Sequence, residues 1–207
     1  MSKMVYTIFI FPDIFIQLVD CSCAAALSVA VGCRCRDDKR KRKMEIRKST
    51  ESDLERIMEI YAFARNFMAR TGNPNQWGPT NWPPQALIQR DIKEGNSYVC
   101  TGDGGEVIAT FFFIGGKDVE PTYRNISDGS WRDDSEYGVV HRLASDGSEK
   151  GTGRFCLEWA FEQCGHLRID THTDNKVMQN LLDRLGFVRC GIIHVMEDNY
   201  PRYAYEK

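Results

Sequence analysis

The sequence predicts an α+β domain over residues 44–207, built on one mixed sheet with helices on both faces. Two observations carry this expectation. Apolar residues recur at helical spacing in four places, and short alternating or apolar runs fall between them, in the order β-α-α-β-β-β-α-β-α-β-β. A third observation marks a site: a glycine-containing turn, Ser145–Phe155, joins a strand directly to a helix.

The first strand is the alternating run Met44–Lys48. Ser52 with Glu55 three residues on reads as a capping box, and Leu54, Ile57, Met58, Tyr61, Ala64, Phe67 and Met68 then keep a helical period as far as Gly72. Residues 72–84 (GNPNQWGPTNWPP) are turn-rich and carry Trp77 and Trp82. Pro83-Pro84 suits the first turn of a second helix, which carries Leu87, Ile88 and Ile92 and closes at Gly95. Residues 97–101 and 106–114 form a hairpin around Gly102-Asp103-Gly104-Gly105. Residues 115–136 have no period and hold Glu120, Asp128, Asp133, Asp134 and Glu136. They read as an acidic insertion, best taken as a solvated loop, although the same charge would suit a cationic ligand. Strand 137–144, helix 151–164, strand 166–171 and helix 175–185 follow. Gly186-Phe187 supplies the glycine-plus-apolar exit, and strands 187–196 and 202–206 complete the order.

Composition narrows the class. The chain has 207 residues, 42% hydrophobic and 27% charged, as in an ordinary globular protein. With 27 basic and 29 acidic side chains the net charge is −2, which disfavours a protein that coats nucleic acid. Residues 1–43 differ, with eight basic and four acidic side chains and a basic cluster at 39–43. They read as an apolar and basic leader outside the folded domain, as expected if Met44 were the start. An anchor through residues 1–33 is the alternative, although the longest uncharged part, 21–33, is shorter than the roughly 20 residues a spanning helix needs. Eight cysteines fall below the density of a disulfide scaffold. Cys100, Cys156, Cys164 and Cys190 read as free thiols of a reducing, cytoplasmic compartment. Cys21, Cys23, Cys33 and Cys35 lack an accompanying His and make a poor metal site.

The turn Ser145–Phe155 carries the chemistry. Gly151 and Gly153 remove Cβ atoms where backbone N–H groups meet a ligand. Lys150 and Arg154 flank a helix start, against the helix dipole by about 0.3–1 kcal/mol each. A bound phosphate or pyrophosphate reverses that sign. A P-loop would need Gly-Lys-Ser/Thr, and a dinucleotide fingerprint a third glycine near Cys156; neither is present. A simple tight turn is the plain alternative.

The strand VVHRLASD, the turn-helix KGTGRF and the helix DNKVMQNLLDRLGF together resemble the acetyl-CoA-binding core of the GNAT superfamily of N-acetyltransferases. The resemblance spans 44–207. It implies a mixed sheet of six to seven strands flanked by about four helices, and acetyl-CoA as co-substrate. It also implies transfer of an acetyl group to a primary amine of a small molecule or protein by direct attack. A non-catalytic acyl-CoA-binding or sensing domain is the alternative.

By that resemblance the cofactor-binding residues are Lys150, Gly151, Thr152, Gly153, Arg154 and Phe155 at the pyrophosphate turn. Leu143, Ala144 and Ser145 lie along the arm, and Asn175 at the start of the last helix, where it doubles as an N-cap. Phe155 stands where the family has a small residue. Leu182 stands where many members carry a Tyr that protonates the departing thiolate.

His141, on the strand that lines the cleft, is the candidate catalytic base, with a buried hydrogen-bonded His as the other reading. His172 is a weaker candidate. Tyr61 and Tyr137 read as packing before lining. Trp77 and Trp82 either wall the acceptor site or anchor the loop. The reaction needs no metal. An amine acceptor is the expected partner, nucleic acid is not, and a homodimer is left open.

Overall fold

The computed structural model describes residues 43–195 and 200–207. The leader, its four cysteines and its basic cluster lie outside the described residues.

Among the described residues, seven strands form one sheet, β1 (Glu45–Lys48), β2 (Ser97–Thr101), β3 (Val107–Gly116), β4 (Tyr137–Ser145), β5 (Leu167–His172), β6 (Val188–His194) and β7 (Pro201–Glu206), in the order β1-β2-β3-β4-β5-β7-β6. Among the described strands, only β4 and β5 pair in parallel. The helices are α1 (Leu54–Arg70), α2 (Gln85–Lys93), α3 (Thr152–Cys164) and α4 (Lys176–Arg184).

Side-chain alternation along each strand divides the apolar residues between two layers. Val99 and Val107 face α1 and α2, where Ile57, Ile60, Tyr61 and Ile88 are buried. Cys100, Ile108 and Val140 face α3 and α4, packing with Cys156, Leu157, Ala160 and Leu182. Cys100, Cys156 and Cys190 are buried free thiols and Cys164 is half-buried, as the cysteine pattern predicts. Among the described residues no helix is long and apolar enough to cross a membrane.

Three expectations are corrected. The cap of the first helix is not Ser52/Glu55. A 3₁₀ turn, Glu51–Asp53, precedes α1, and the Thr50 N–H donates to the Asp53 carboxylate at 2.8 Å. Asp53 wins because Arg47 on β1 also grips it, at 2.7 and 2.8 Å, tying the turn to the sheet, whereas the Ser52 hydroxyl is taken up by that of Thr50. Pro84 is the N-cap of α2, so that helix starts at Gln85.

The largest correction concerns 115–136, which is not a solvated loop. β3 runs on to Gly116, and a 3₁₀ turn, Pro121–Arg124, buries Tyr123 against Tyr137, Val139, Ile193 and Ala204. The insertion covers the part of the α1/α2 face that those helices leave bare. Arg168 anchors it: its guanidinium lies between the rings of Trp131 and Tyr137, 4.4 and 4.2 Å away, and donates to the Asp133 carbonyl. Among the acidic residues sit four inward-facing apolar ones, Val119, Tyr123, Ile126 and Trp131, which have no regular period for a sequence reading to find.

One irregularity positions everything that follows. Thr110 on β3 pairs with Ala144, and Phe112 pairs with His141, so Arg142 and Leu143 together oppose Phe111. This is a β-bulge. Arg142 sits at φ 56°, a left-handed conformation that costs an ordinary residue about 1–2 kcal/mol. Three contacts hold it. Its guanidinium donates to Asp91 of α2 at 2.6 Å, stacks over Phe112 at 4.7 Å, and its carbonyl accepts from the buried Tyr61 hydroxyl at 3.2 Å. Burial pushes the Asp91 carboxyl up, and Arg142 counters that push.

Removing one partner of a buried ion pair strands the other charge, at about 3–5 kcal/mol. Arg142→Met is therefore expected to destabilise strongly. The double variant Arg142→Met/Asp91→Asn should recover more than half of that loss. Urea unfolding of the four proteins in the cycle checks this; additive losses would show that the pair is not coupled.

Candidate active site

Parallel strands share hydrogen bonds only while they stay adjacent. β4 and β5 pair at Gly138↔Leu167 and Val139↔Arg168 and then part. The parting begins three residues before the bulge, consistent with the added local twist a bulge brings. It opens a cleft of about 500 Å³. Val140 to Ser145 line one side, Ile169 to Thr171 the other, and the start of α4 lies across them.

Of the residues the sequence singles out, His141, Leu143, Ala144, Ser145, Gly153 and Asn175 line this cleft together. Lys150, Gly151, Thr152, Arg154 and Phe155 build the turn above it. Gly151 is the N-cap of α3 at φ 89°, where a side chain is strained. Gly153 faces the wall, and a Cβ there would lie 3.3 Å from Leu181. The first helical bond runs from the Phe155 N–H to Gly151 O, so the donors of the preceding residues remain at the helix start.

The side chains around this turn do not converge on a ligand. Thr152 is buried, with its hydroxyl donating to Glu149 O at 2.9 Å. Phe155 packs into the α3/α4 core, which explains why no small residue is needed there. Arg154 points outward and pairs with Glu158 one turn on at 2.8 Å, so its charge does not by itself imply an anion. What the turn offers is backbone.

Asn175 caps α4, its Oδ1 accepting from Met178 N–H at 3.0 Å. Its Nδ2 donates to Gln76 Oε1 at 2.9 Å, which joins α4 to the loop after α1. Trp77 and Trp82 both line the cleft, and Trp77 also anchors its loop by packing edge-on to Tyr61. Tyr61 and Tyr137 are buried packing residues. Leu182 is wholly buried in the α3/α4 core. His172 is buried at the end of β5, its Nδ1 accepting from Asp174 N–H at 3.1 Å, and is not on the cleft wall.

The composition of the His141 environment escaped the sequence. Nε2 of His141 lies 2.8 Å from Glu120 Oε2, and Nδ1 lies 3.6 Å from Asp170 Oδ1. Burial raises the Glu120 pKa, but the bonds from His141 and from the Thr122 hydroxyl and N–H outweigh it, leaving Glu120 at about 2. A carboxylate that ionised only accepts, so Nε2 carries a hydrogen toward Glu120. Asp170 in turn accepts from the buried Tyr123 hydroxyl at 2.9 Å. Arg202 Nη1 stands 3.9 Å from its other oxygen. Burial, with the Asp170 charge beside it, pushes the Tyr123 phenol well up, so it stays a donor. Glu120 and Tyr123 both come from the insertion; the acidic run was the only sequence signal, and it gave no register. Among the described residues no group of three His, Cys, Asp or Glu side chains is placed to hold a metal ion.

Comparison with solved structures identifies the architecture. A GNAT-family acetyltransferase from Streptococcus agalactiae 2603 is 30% identical, with 79% of this chain and 94% of that one aligned at a TM-score of 0.71. The chain belongs to the GNAT acetyltransferase family. Other GNAT structures share the fold at lower identity. A GNAT acetyltransferase from Listeria monocytogenes 4b F2365 is 14% identical over 79% of this chain and 94% of that one, at a TM-score of 0.58. Arabidopsis thaliana NAA60, solved in complex with acetyl-CoA, is 13% identical over 80% and 98%, at 0.54. No family model matches the sequence, and no curated protein matches it.

The depressed Glu120 pKa makes a pH prediction. Stability from ionised Glu120 is fully present above its ordinary value of 4.5 and is lost as pH falls toward about 2. Glu120→Gln is expected to be less stable than the parent at pH 7 by about 2 kcal/mol, and the gap should close between pH 4.5 and 2. Urea unfolding of both proteins across that range reads it. A gap that does not change with pH would deny that ionised Glu120 carries the contact.

Proposed function

We propose that the protein transfers an acetyl group from acetyl-CoA to a primary amine, with His141 as the base. The observation that carries this is the cleft itself. It opens where β4 leaves β5, passes beneath the N-terminus of α3, and holds His141 between two carboxylates.

The chain's residues fit the co-substrate. Backbone donors at 152–154 and the dipole of α3 suit a pyrophosphate. The edge of β4 at Leu143–Ser145, unpaired toward β5, offers N–H and C=O groups to an amide-containing arm. Gly153 keeps the wall low.

The amine arrives protonated and gives one proton to Nδ1 of His141, while Glu120 holds the other ring nitrogen. The neutral nitrogen adds to the thioester carbonyl, whose oxygen is stabilised by backbone N–H groups. The C–N bond forms, the C–S bond breaks, and the second amine proton ends on the departing sulfur. Holding both reactants in one cleft supplies several kcal/mol of the barrier reduction. The buried free thiols and the need for acetyl-CoA fit a cytoplasmic setting.

Calorimetry of acetyl-CoA on the full-length chain tests the co-substrate. Micromolar binding, about −8 kcal/mol, is expected, and Gly153→Glu, which puts a carboxylate at the anion site, should lose it. His141→Gln should bind acetyl-CoA as the parent does, yet lose about 10²–10⁴-fold in kcat/KM. Binding without acetylation of any amine would instead describe a sensing domain.

A further inference from the structure

The departing sulfur has no donor where many relatives keep one. Leu182 fills that position, wholly buried between α3 and α4 and off the cleft wall. A hydroxyl stands elsewhere in the same layer. Leu167 and Ile169 of β5 face α3 and α4, and by strand alternation Thr171 faces them too. Asp170, between them, points the other way, to Tyr123 and His141. Thr171 lies three residues past Arg168, the last residue of β5 to pair with β4, so it stands where the two strands have parted. It lines the cleft on the wall across from Leu143.

Thr171 is 1% exposed, and among the described residues its Oγ1 has no hydrogen-bond partner. Buried polar groups are nearly always paired, so an orphan in a cleft wall calls for an explanation. Threonine suits a strand by its branched shape. Valine would supply that shape without burying an unpaired hydroxyl. The nearby Asn175 is already engaged, its Oδ1 capping α4 and its Nδ2 holding Gln76. The Thr171 hydroxyl is therefore a donor with nothing to bond until the cleft fills.

We propose that the Thr171 hydroxyl donates a hydrogen bond to the sulfur of coenzyme A as it leaves, a bond that Leu182 cannot make. This rests on the acetyl-transfer reading. The two faces of the sheet divide the work. The amine is deprotonated on the His141 side, and the arm, entering beneath α3 along Leu143, brings its sulfur to the Thr171 side. As the C–S bond breaks, its electron pair moves onto sulfur and the hydroxyl donates to that growing charge. Threonine, a much weaker acid than a thiol, keeps its own proton. The second amine proton neutralises the thiolate.

The test uses the full-length protein with free coenzyme A, whose thiol is titrated by the ultraviolet absorbance of its thiolate, in the parent, Thr171→Val and Thr171→Ser. The pKa of the bound thiol should rise by about one unit in the valine variant, a tenfold change, and return in the serine variant. Calorimetry should give all three the same Kd for acetyl-CoA within about twofold. With an amine that the parent acetylates, kcat should fall about tenfold in Thr171→Val while the amine KM holds. Urea unfolding checks the orphan: the valine variant should be no less stable than the parent, because no hydrogen bond is lost. A thiol pKa unmoved by Thr171→Val, or a loss that serine does not restore, overturns this inference and leaves acetyl transfer standing. Failure of the parent to bind coenzyme A, or binding with no amine acetylated, overturns both.

Discussion

A single extra residue in β4 sets the site. The bulge at Arg142–Leu143 reverses the parity of the strand. Tyr137, Val139 and His141 point to the α1/α2 face, and after the bulge Ala144, not Leu143, returns to it. A regular strand would put Leu143 there and bring Ala144 into the α3/α4 layer. The bulge thus lets one strand carry a polar residue, His141, toward the insertion and an apolar one, Leu143, toward α3 and α4 a short distance on. It also lies where β4 has already left β5. A left-handed arginine is an unusual way to build it, and the three contacts from Asp91, Phe112 and Tyr61 draw α1, α2 and β3 into supporting it. A glycine would adopt the same φ at lower cost, but it would provide none of those contacts.

The insertion follows from the same geometry. With α1 and α2 over the first half of the sheet, the face carrying Tyr137, Val139 and Ala204 would be bare apolar surface. Tyr123 and Trp131 cover it, and the Arg168–Glu206 ion pair at 3.1 Å fixes the far end, where Glu206 also accepts from the Arg132 N–H and lies 2.7 Å from His166. Once that lid is seated, Glu120 is delivered to His141 through a turn whose N-cap it also serves. One carboxylate thus has two roles, structural toward Thr122 and electrostatic toward His141.

The fold was legible because its elements are locally encoded. The helical spacing of Ile57 to Met68, the alternation that separates Val99 from Cys100 and the glycine at 151 each depend on neighbours in sequence. The cleft wall of Leu143, Ala144, Ser145, Gly153 and Asn175 was legible through the resemblance of three segments to one family. Glu120 and Asp170 were not, because their importance lies in meeting His141 across 21 and 29 residues of chain, and neither position has a local pattern. Arg154 misled for the converse reason. Its charge looked unpaired at a helix start until Glu158, four residues on, proved to be its partner. The cap at Thr50 was missed because Arg47, outside the helix, chose Asp53 over the sequence-adjacent alternative.

The site is elaborate on one side and plain on the other, and the chemistry of acetyl transfer accounts for that. An alkylammonium with a pKa of about 10.4 is more than three units from neutrality, so presenting its free base at pH 7 costs about 5 kcal/mol. A thiol of pKa about 8.5 is only about 1.5 units away, roughly 2 kcal/mol. On the proposed reading, the larger cost falls where His141, Glu120, Asp170 and Tyr123 are assembled. The smaller falls where many relatives use a tyrosine and this chain has Leu182, wholly buried. Leucine there helps fill the core with Leu157 and Phe187, whereas a phenol would bring in a hydroxyl that needs a partner. On the reading proposed above, the chain places its polar groups on the side of the acceptor nitrogen, where Glu120 and Asp170 flank His141.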